Sequence, residues 1–176
     1  GIAWPQIAAV TSDVTQTPTT VTVTYSFIQA GTATDSGGSG TCVTLQDNFD
    51  SSVTNAQFKQ EITDALQEWK EAFEVLYPLL TFNFQNLGDE TGTSVGSYSG
   101  FGNYNLPHTE NIGDFRFGMH NIDGVLNVLA HAYLPGGSLG AIGNHGGDVH
   151  FDSTENWRLD VTSLASDPNS TSIKYI

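Results

Sequence analysis

From Thr20 to Ile28 hydrophobic and polar positions alternate, with Val21, Val23, Tyr25 and Phe27 on one face and threonines with Ser26 on the other. A period of two predicts a half-buried strand. The pattern changes at Thr54-Asn55-Ala56-Gln57, which has the spacing of a capping box. Beyond it Phe58, Ile62, Leu66, Trp69, Phe73 and Leu76 recur at steps of three and four. That spacing predicts one apolar stripe on a helix of about five turns, ended by Pro78. Thr81–Phe84 is a short strand candidate, and Asp114–Gly118, Leu126–Tyr133 and Asp148–Phe151 are three more. Residues 30–50 and 86–112, rich in Gly, Ser, Thr, Asn and Asp, read as surface loops. Residues 1–18, rich in Thr and Pro, read as a loose arm, and residues 152–172 as irregular chain with Trp157 as a buried anchor. Apolar residues return at Ser172-Ile173-Lys174-Tyr175-Ile176, so the domain is expected to continue past this point. There is no internal repeat.

Length and composition narrow the class. The 176 residues, 38% hydrophobic and 11% aromatic, suit one domain with a sizeable core. Nineteen acidic residues against five basic ones give a formal net charge of -14. A surface that acidic repels phosphate backbones, which argues against nucleic-acid binding. The acidity serves solubility, and it is compatible with some carboxylates holding calcium. A single cysteine, Cys42, makes no intrachain disulfide and leaves the compartment open. There is no apolar run of membrane-spanning length and no visible signal peptide.

The candidate chemistry is concentrated between Asp114 and Trp157, where four of the five histidines fall among four aspartates and one glutamate. Imidazole and carboxylate are the ligands of zinc and calcium. In Asp148-Val149-His150-Phe151-Asp152 taken as a strand, Val149 and Phe151 share one face, while Asp148, His150 and Asp152 share the other and face outward. Glu155 turns back beside Asp152. His131 faces away from Ala130 and Ala132, whose small side chains leave room for a metal or a backbone partner. His120 and Asp123 occupy a short turn upstream. Zinc would take three imidazoles and one further ligand; calcium would take carboxylates and carbonyls freed by glycines. Each residue alone also has an ordinary explanation: a surface or core histidine, an Asp-Gly turn, an aspartate that opens a strand. His108 and His145, in Gly- or Pro-containing loops, read as solvated.

The pieces Ile122-Asp123-Gly124, Asn127–Tyr133 and Gly147–Asp152, with Glu155 and Trp157, resemble the catalytic domain of the matrixins, the matrix-metalloproteinase branch of the metzincins, and its bacterial secreted relatives. Thr24–Phe27, Leu66–Trp69 and Leu80–Phe82 are similar to that family's first strand, first helix and second strand, so the resemblance spans residues 19–160. It implies an α+β (α/β-like) fold, the N-terminal subdomain of a zincin: a twisted five-stranded mixed sheet with one long helix. It implies a structural zinc on His120, His131 and His150. One calcium would lie on the side chains of Asp123, Asp152 and Glu155 and carbonyls near Gly124, Leu126 and Val128. A second would lie on Asp148 and carbonyls near Asp114, Asn144 and Gly146. It implies an edge strand in which Asn127, Leu129, Ala130, Ala132 and Tyr133 pair with an extended peptide substrate.

Two departures follow. The loop before Asp123-Gly124 is only Met119–Ile122, without the family's His-Gly-Asp, so the fourth zinc ligand has no counterpart, and His145 or water is left for that place. The family's His-Glu-x-x-His helix, with the general base and the catalytic-zinc histidines, has no match in the 176 residues. The expectation is therefore an arm, residues 1–18, and a matrixin-like domain, residues 19–176, cut before its catalytic helix. It would be the scaffold and substrate-edge part of a secreted zinc metalloendopeptidase, inert by itself. The alternative is a non-catalytic calcium- or zinc-stabilised module for binding or adhesion.

Overall fold

Alternation in the first hydrophobic segment produces β1, Thr19–Phe27, with Val23, Tyr25 and Phe27 buried on the apolar face. The structure, a computed structural model, describes residues 18–32, 40–49, 51–90, 113–133, 147–159 and 170–172. The expectations for the arm before Pro18, for most of 86–112 including His108, for Asn144, His145 and Gly146, and for the last four residues lie outside the described residues.

Helix α1, Asn55–Leu76, begins where the capping box predicts. The Gln57 amide donates to Thr54 Oγ1 at 3.4 Å and the Thr54 amide to Gln57 Oε1 at 3.0 Å, so two donors left open by the first turn are satisfied. The stripe is buried only in part. Phe58 and Ile62 are in the core and Leu66 and Phe73 against it, whereas Trp69 and Leu76 are 61% and 69% exposed. The sheet under the last turns is already at its edge, which a helical period does not reveal.

The remaining strands are β2 (Leu80–Asp89), β3 (Phe115–His120), β4 (Ala130–Ala132), β5 (Asp148–Asp152), β6 (Asn156–Arg158) and β7 (Ser170–Ser172). Five form a mixed sheet in the order β2-β1-β3-β5-β4, parallel except for β4 against β5, and β6 and β7 form a separate parallel pair. This is the expected α+β architecture, with several boundaries moved. β2 continues to Asp89, into the stretch read as loop, because it pairs along most of β1. Of the predicted Leu126–Tyr133 strand Ala130–Ala132 forms β4, and its flanks continue the hydrogen bonding, the Asp152 amide donating to Leu129 O and the Tyr133 amide to Asp148 O; residues 125–127 turn, so Asn127 and Leu129 precede the strand. Within the stretch 30–50, Cys42 and Leu45 are buried, since the Cys42 amide donates to Thr32 O and the Val43 amide to Met119 O. Residues 152–172 are not wholly irregular, for they contain β6 and β7.

The core lies between the sheet and α1. Tyr25, Phe27, Phe117, Met119 and Phe151 face Phe58, Ile62 and Trp157. Phe58 meets Phe151 at 5.1 Å and Trp157 at 5.5 Å between ring centroids, both edge to face. Trp157 is the expected anchor: fully buried, it donates Nε1–H to Asp152 O at 2.8 Å and its amide to Asp47 Oδ1 at 3.3 Å.

Candidate metal centre

Strand register determines what shares the other face of the sheet. Arg116 pairs with Ser26 and with Asp148, Gly118 with His150, His120 with Asp152, and His131 with His150. Residues two apart on a strand, and their register partners, lie on the same side. The alternation in Phe115–His120 and Asp148–Asp152 therefore assembles one polar row after another opposite the apolar core. The sequence placed Asp148, His150 and Asp152 together on that face correctly, but expected them outward; all three are buried.

Three histidines converge there. His120 closes β3, rather than lying in the turn after it, and His131 and His150 sit opposite each other on β4 and β5. His120 Nε2 is 3.2 Å from His150 Nδ1, and His131 Nε2 is 3.1 Å from that same atom. One nitrogen from each ring lies within 4.8 Å of the others, and among the described residues this trio is the group of ligating side chains gathered so closely. Two nitrogens bound tetrahedrally at about 2.05 Å from zinc are roughly 3.3 Å apart, close to the observed pairs. His120 Nδ1 lies 2.9 Å from Asn121 O. A carbonyl only accepts, so Nδ1 carries the proton and the neutral ring leaves a lone pair on Nε2, toward the other histidines. The donor set fits a zinc ion.

Asp123, Asp152 and Glu155 are brought to one turn, residues 122–128, without meeting as closely as the histidines. Asp152 Oδ2 accepts from the amides of Ile122 at 3.3 Å and Asp123 at 3.1 Å, and its Oδ1 accepts from the Thr154 amide at 2.8 Å. Glu155 Oε1 accepts from the Leu126 amide at 2.6 Å, while its Oε2 is buried with no hydrogen-bond partner among the described residues. Asp123 Oδ1 accepts from the Val128 amide at 3.1 Å. Burial holds the Glu155 carboxyl above the ordinary carboxylate range, with Asp152 and Asp123 adding repulsion against the counterpull of the Leu126 amide. A fully buried carboxylate oxygen without a donor, beside two more carboxylates, suits a hard cation. Gly124, Leu126 and Val128 belong to the same turn, and Leu126 adopts a left-handed φ of 67°.

The other implied calcium set is only partly described. Asp114 uses Oδ2 to accept from the Thr24 amide and Oγ1, both at 2.9 Å, and its carbonyl lies against Gly147. At Gly147, φ is +95° and a Cβ would come 2.1 Å from Asp114 O, so only glycine permits this approach. Asp148 accepts from Arg116 Nη1 at 3.2 Å. Asn144 and Gly146 are outside the described residues.

Sequence reasoning missed Arg116, Glu90, Ser26 and Asp47, all buried. Arg116 is gripped by Glu90 and sits beside Asp148; burial alone would lower its pKa, and these carboxylates more than reverse that, raising it. A signal existed: Arg116 is one of five basic residues, two positions from Gly118 and four from His120 on the same face. Asp47 accepts from the amides of Phe49 and Ser52, both at 3.1 Å, and of Trp157, tying the segment before α1 to β6.

Among the described residues no helix is long and apolar enough to cross a membrane. Compared with known proteins, the chain matches the family model described as Matrixin over residues 41–174. It is 25% identical over 144 residues to matrix metalloproteinase-B of Caenorhabditis elegans, covering 78% of this chain and 26% of that relative. The chain thus spans about a quarter of the length of that curated relative.

Proposed function

This chain belongs to the matrixin family of peptidases, and on that premise we propose that it supplies the ion-stabilised sheet and substrate-facing edge of a zinc-dependent endopeptidase domain. The family acts on peptide or protein substrates and uses zinc and calcium. The observation that carries the reading is the convergence of His120, His131 and His150 on one point. These residues would hold a structural zinc, which would cross-link the end of β3 to the middles of β4 and β5. Asp123, Asp152 and Glu155, with carbonyls of Gly124, Leu126 and Val128, would hold one calcium. Asp148, with carbonyls near Asp114, Asn144 and Gly146, would belong to a second.

β4 lies at the end of the strand order, so its outer side offers backbone groups for pairing with an extended peptide. Ala130, Ala132 and Tyr133, with Asn127 and Leu129 before them, would form that edge. We place the work of the domain outside the cell. The 176 residues contain no His-Glu-x-x-His, so this polypeptide alone is proposed to bind substrate without hydrolysing it. The same exposed edge supports the alternative of an ion-stabilised binding module.

Elemental analysis of the purified 176-residue polypeptide, together with a protein-cleavage assay, tests this. The expected result is one zinc per chain, calcium bound, and no proteolysis. Cleavage abolished by a chelator overturns the inactivity, and absence of zinc after equilibration with it overturns the metal centre.

A further inference from the structure

Beside the histidine trio lies a buried charged row that the zinc reading does not use. Glu90 grips Arg116 with both oxygens, Oε1 taking Nε–H at 2.8 Å and Oε2 taking Nη2–H at 2.9 Å. Ser26 Oγ–H donates to Glu90 Oε1 at 2.8 Å, which fixes the carboxylate from β1. Arg116 then donates Nη1–H to Asp148 Oδ2 at 3.2 Å. That same Oδ2 lies 3.8 Å from His150 Nε2, while the other nitrogen of the ring, Nδ1, faces His120 and His131. A histidine that ligates through one nitrogen carries its proton on the other, and a carboxylate 3.8 Å from that nitrogen, longer than a hydrogen bond, favours this tautomer through its charge.

We propose that Glu90 and Arg116 are positioning residues for the metal centre: they hold the Asp148 carboxylate where its charge favours the Nε2-protonated form of His150, so that Nδ1 presents its lone pair to the point shared by His120 and His131. The inference rests on the metal-centre reading above. A triad of buried charges is costly to desolvate, and an apolar row of the same shape is often as stable or more so. Stability is therefore a poor account of three charges placed next to a ligand histidine. Orientation is a better one, because the planar fork of Arg116 joins two carboxylates in a fixed geometry that a lysine does not reproduce.

The test is zinc affinity, read by competition with a chromophoric chelator on the full chain in saturating calcium. It compares wild type, Glu90→Gln, Arg116→Lys and the core control Phe117→Leu, each checked for folding by circular dichroism. Glu90→Gln and Arg116→Lys are expected to weaken zinc by about 10–100-fold, while Phe117→Leu lowers the melting temperature and leaves zinc affinity unchanged. A second measurement needs no variant. In zinc-loaded wild type with nitrogen-labelled histidine, nuclear magnetic resonance should show a slowly exchanging Nε2 proton on His150. Folded Glu90→Gln with wild-type affinity overturns the inference, as does a freely exchanging Nε2 proton. Wild type that takes up no zinc overturns the metal centre itself, a distinct outcome.

Discussion

Leu126 is the residue whose backbone pays most visibly for the site. Its φ of 67° places a branched, 55% exposed side chain in the left-handed region, held there by the Glu155 carboxylate on its amide. For a residue with a Cβ that conformation costs roughly 1–2 kcal/mol; glycine avoids it at an entropic cost of roughly 0.5–1 kcal/mol. Leu126→Gly is therefore expected to leave stability unchanged or raise it by up to about 1 kcal/mol, measured by urea denaturation. A clear loss would show that Leu126 contributes more by contact than by conformation. Glu155 supplies a second prediction. Its carboxyl is raised above 4.5 by burial and by Asp152 and Asp123. In chelator the group favours the folded state while protonated, and that contribution is lost as pH rises through its raised range. Melting temperature in chelator should thus fall with rising pH above about 4.5 more steeply in wild type than in Glu155→Gln. Parallel curves would mean that Glu155 titrates normally.

At the scale of elements, α1 is anchored by its first half. Phe58 is fully buried among Phe151 and Trp157, while Trp69 lies largely in solvent against Phe73. Phe58→Ala should cost about 3–5 kcal/mol, and Trp69→Ala under about 1 kcal/mol, by chemical denaturation. Comparable losses would place a packed surface over the second half of the helix. The stripe from Phe58 to Leu76 was legible as a helix because spacing is a local property. How much of it is covered depends on where the sheet ends, which is not. The same distinction explains β4: the alternation around Leu129–Tyr133 was visible, but Asp123 and Glu155 draw Val128 and Leu126 into a turn through contacts across the chain.

For the whole molecule, Asp148 and Asp152 on the polar face of the sheet and Glu155 in the bend after β5 are buried in the interior of a chain with a net charge of -14. On the proposed ion sites, a chelator would leave Asp123, Asp152 and Glu155 near one another without a metal cation, so it should lower the melting temperature. Hydrogen exchange should accelerate in residues 118–157, and less in α1, which packs on the other face. An unchanged melting temperature would mean that the ions are not bound or do not support the fold.

By itself the sequence determined the helix, the strands of the five-stranded sheet in outline though not β6 or β7, and the two-faced character of Asp148–Asp152, because each follows from short-range periodicity; the three histidines were singled out by the family resemblance. The resemblance in the segment from Asp114 to Trp157 named the family. Tertiary structure alone decided that the polar face is buried, that β3, β4 and β5 bring His120, His131 and His150 to one point, and that Glu90, Arg116 and Asp148 form a row beside them. Those facts depend on the strand order β2-β1-β3-β5-β4 and its register. Such pairings join residues far apart along the chain, and no local window of hydrophobic and polar positions contains both partners.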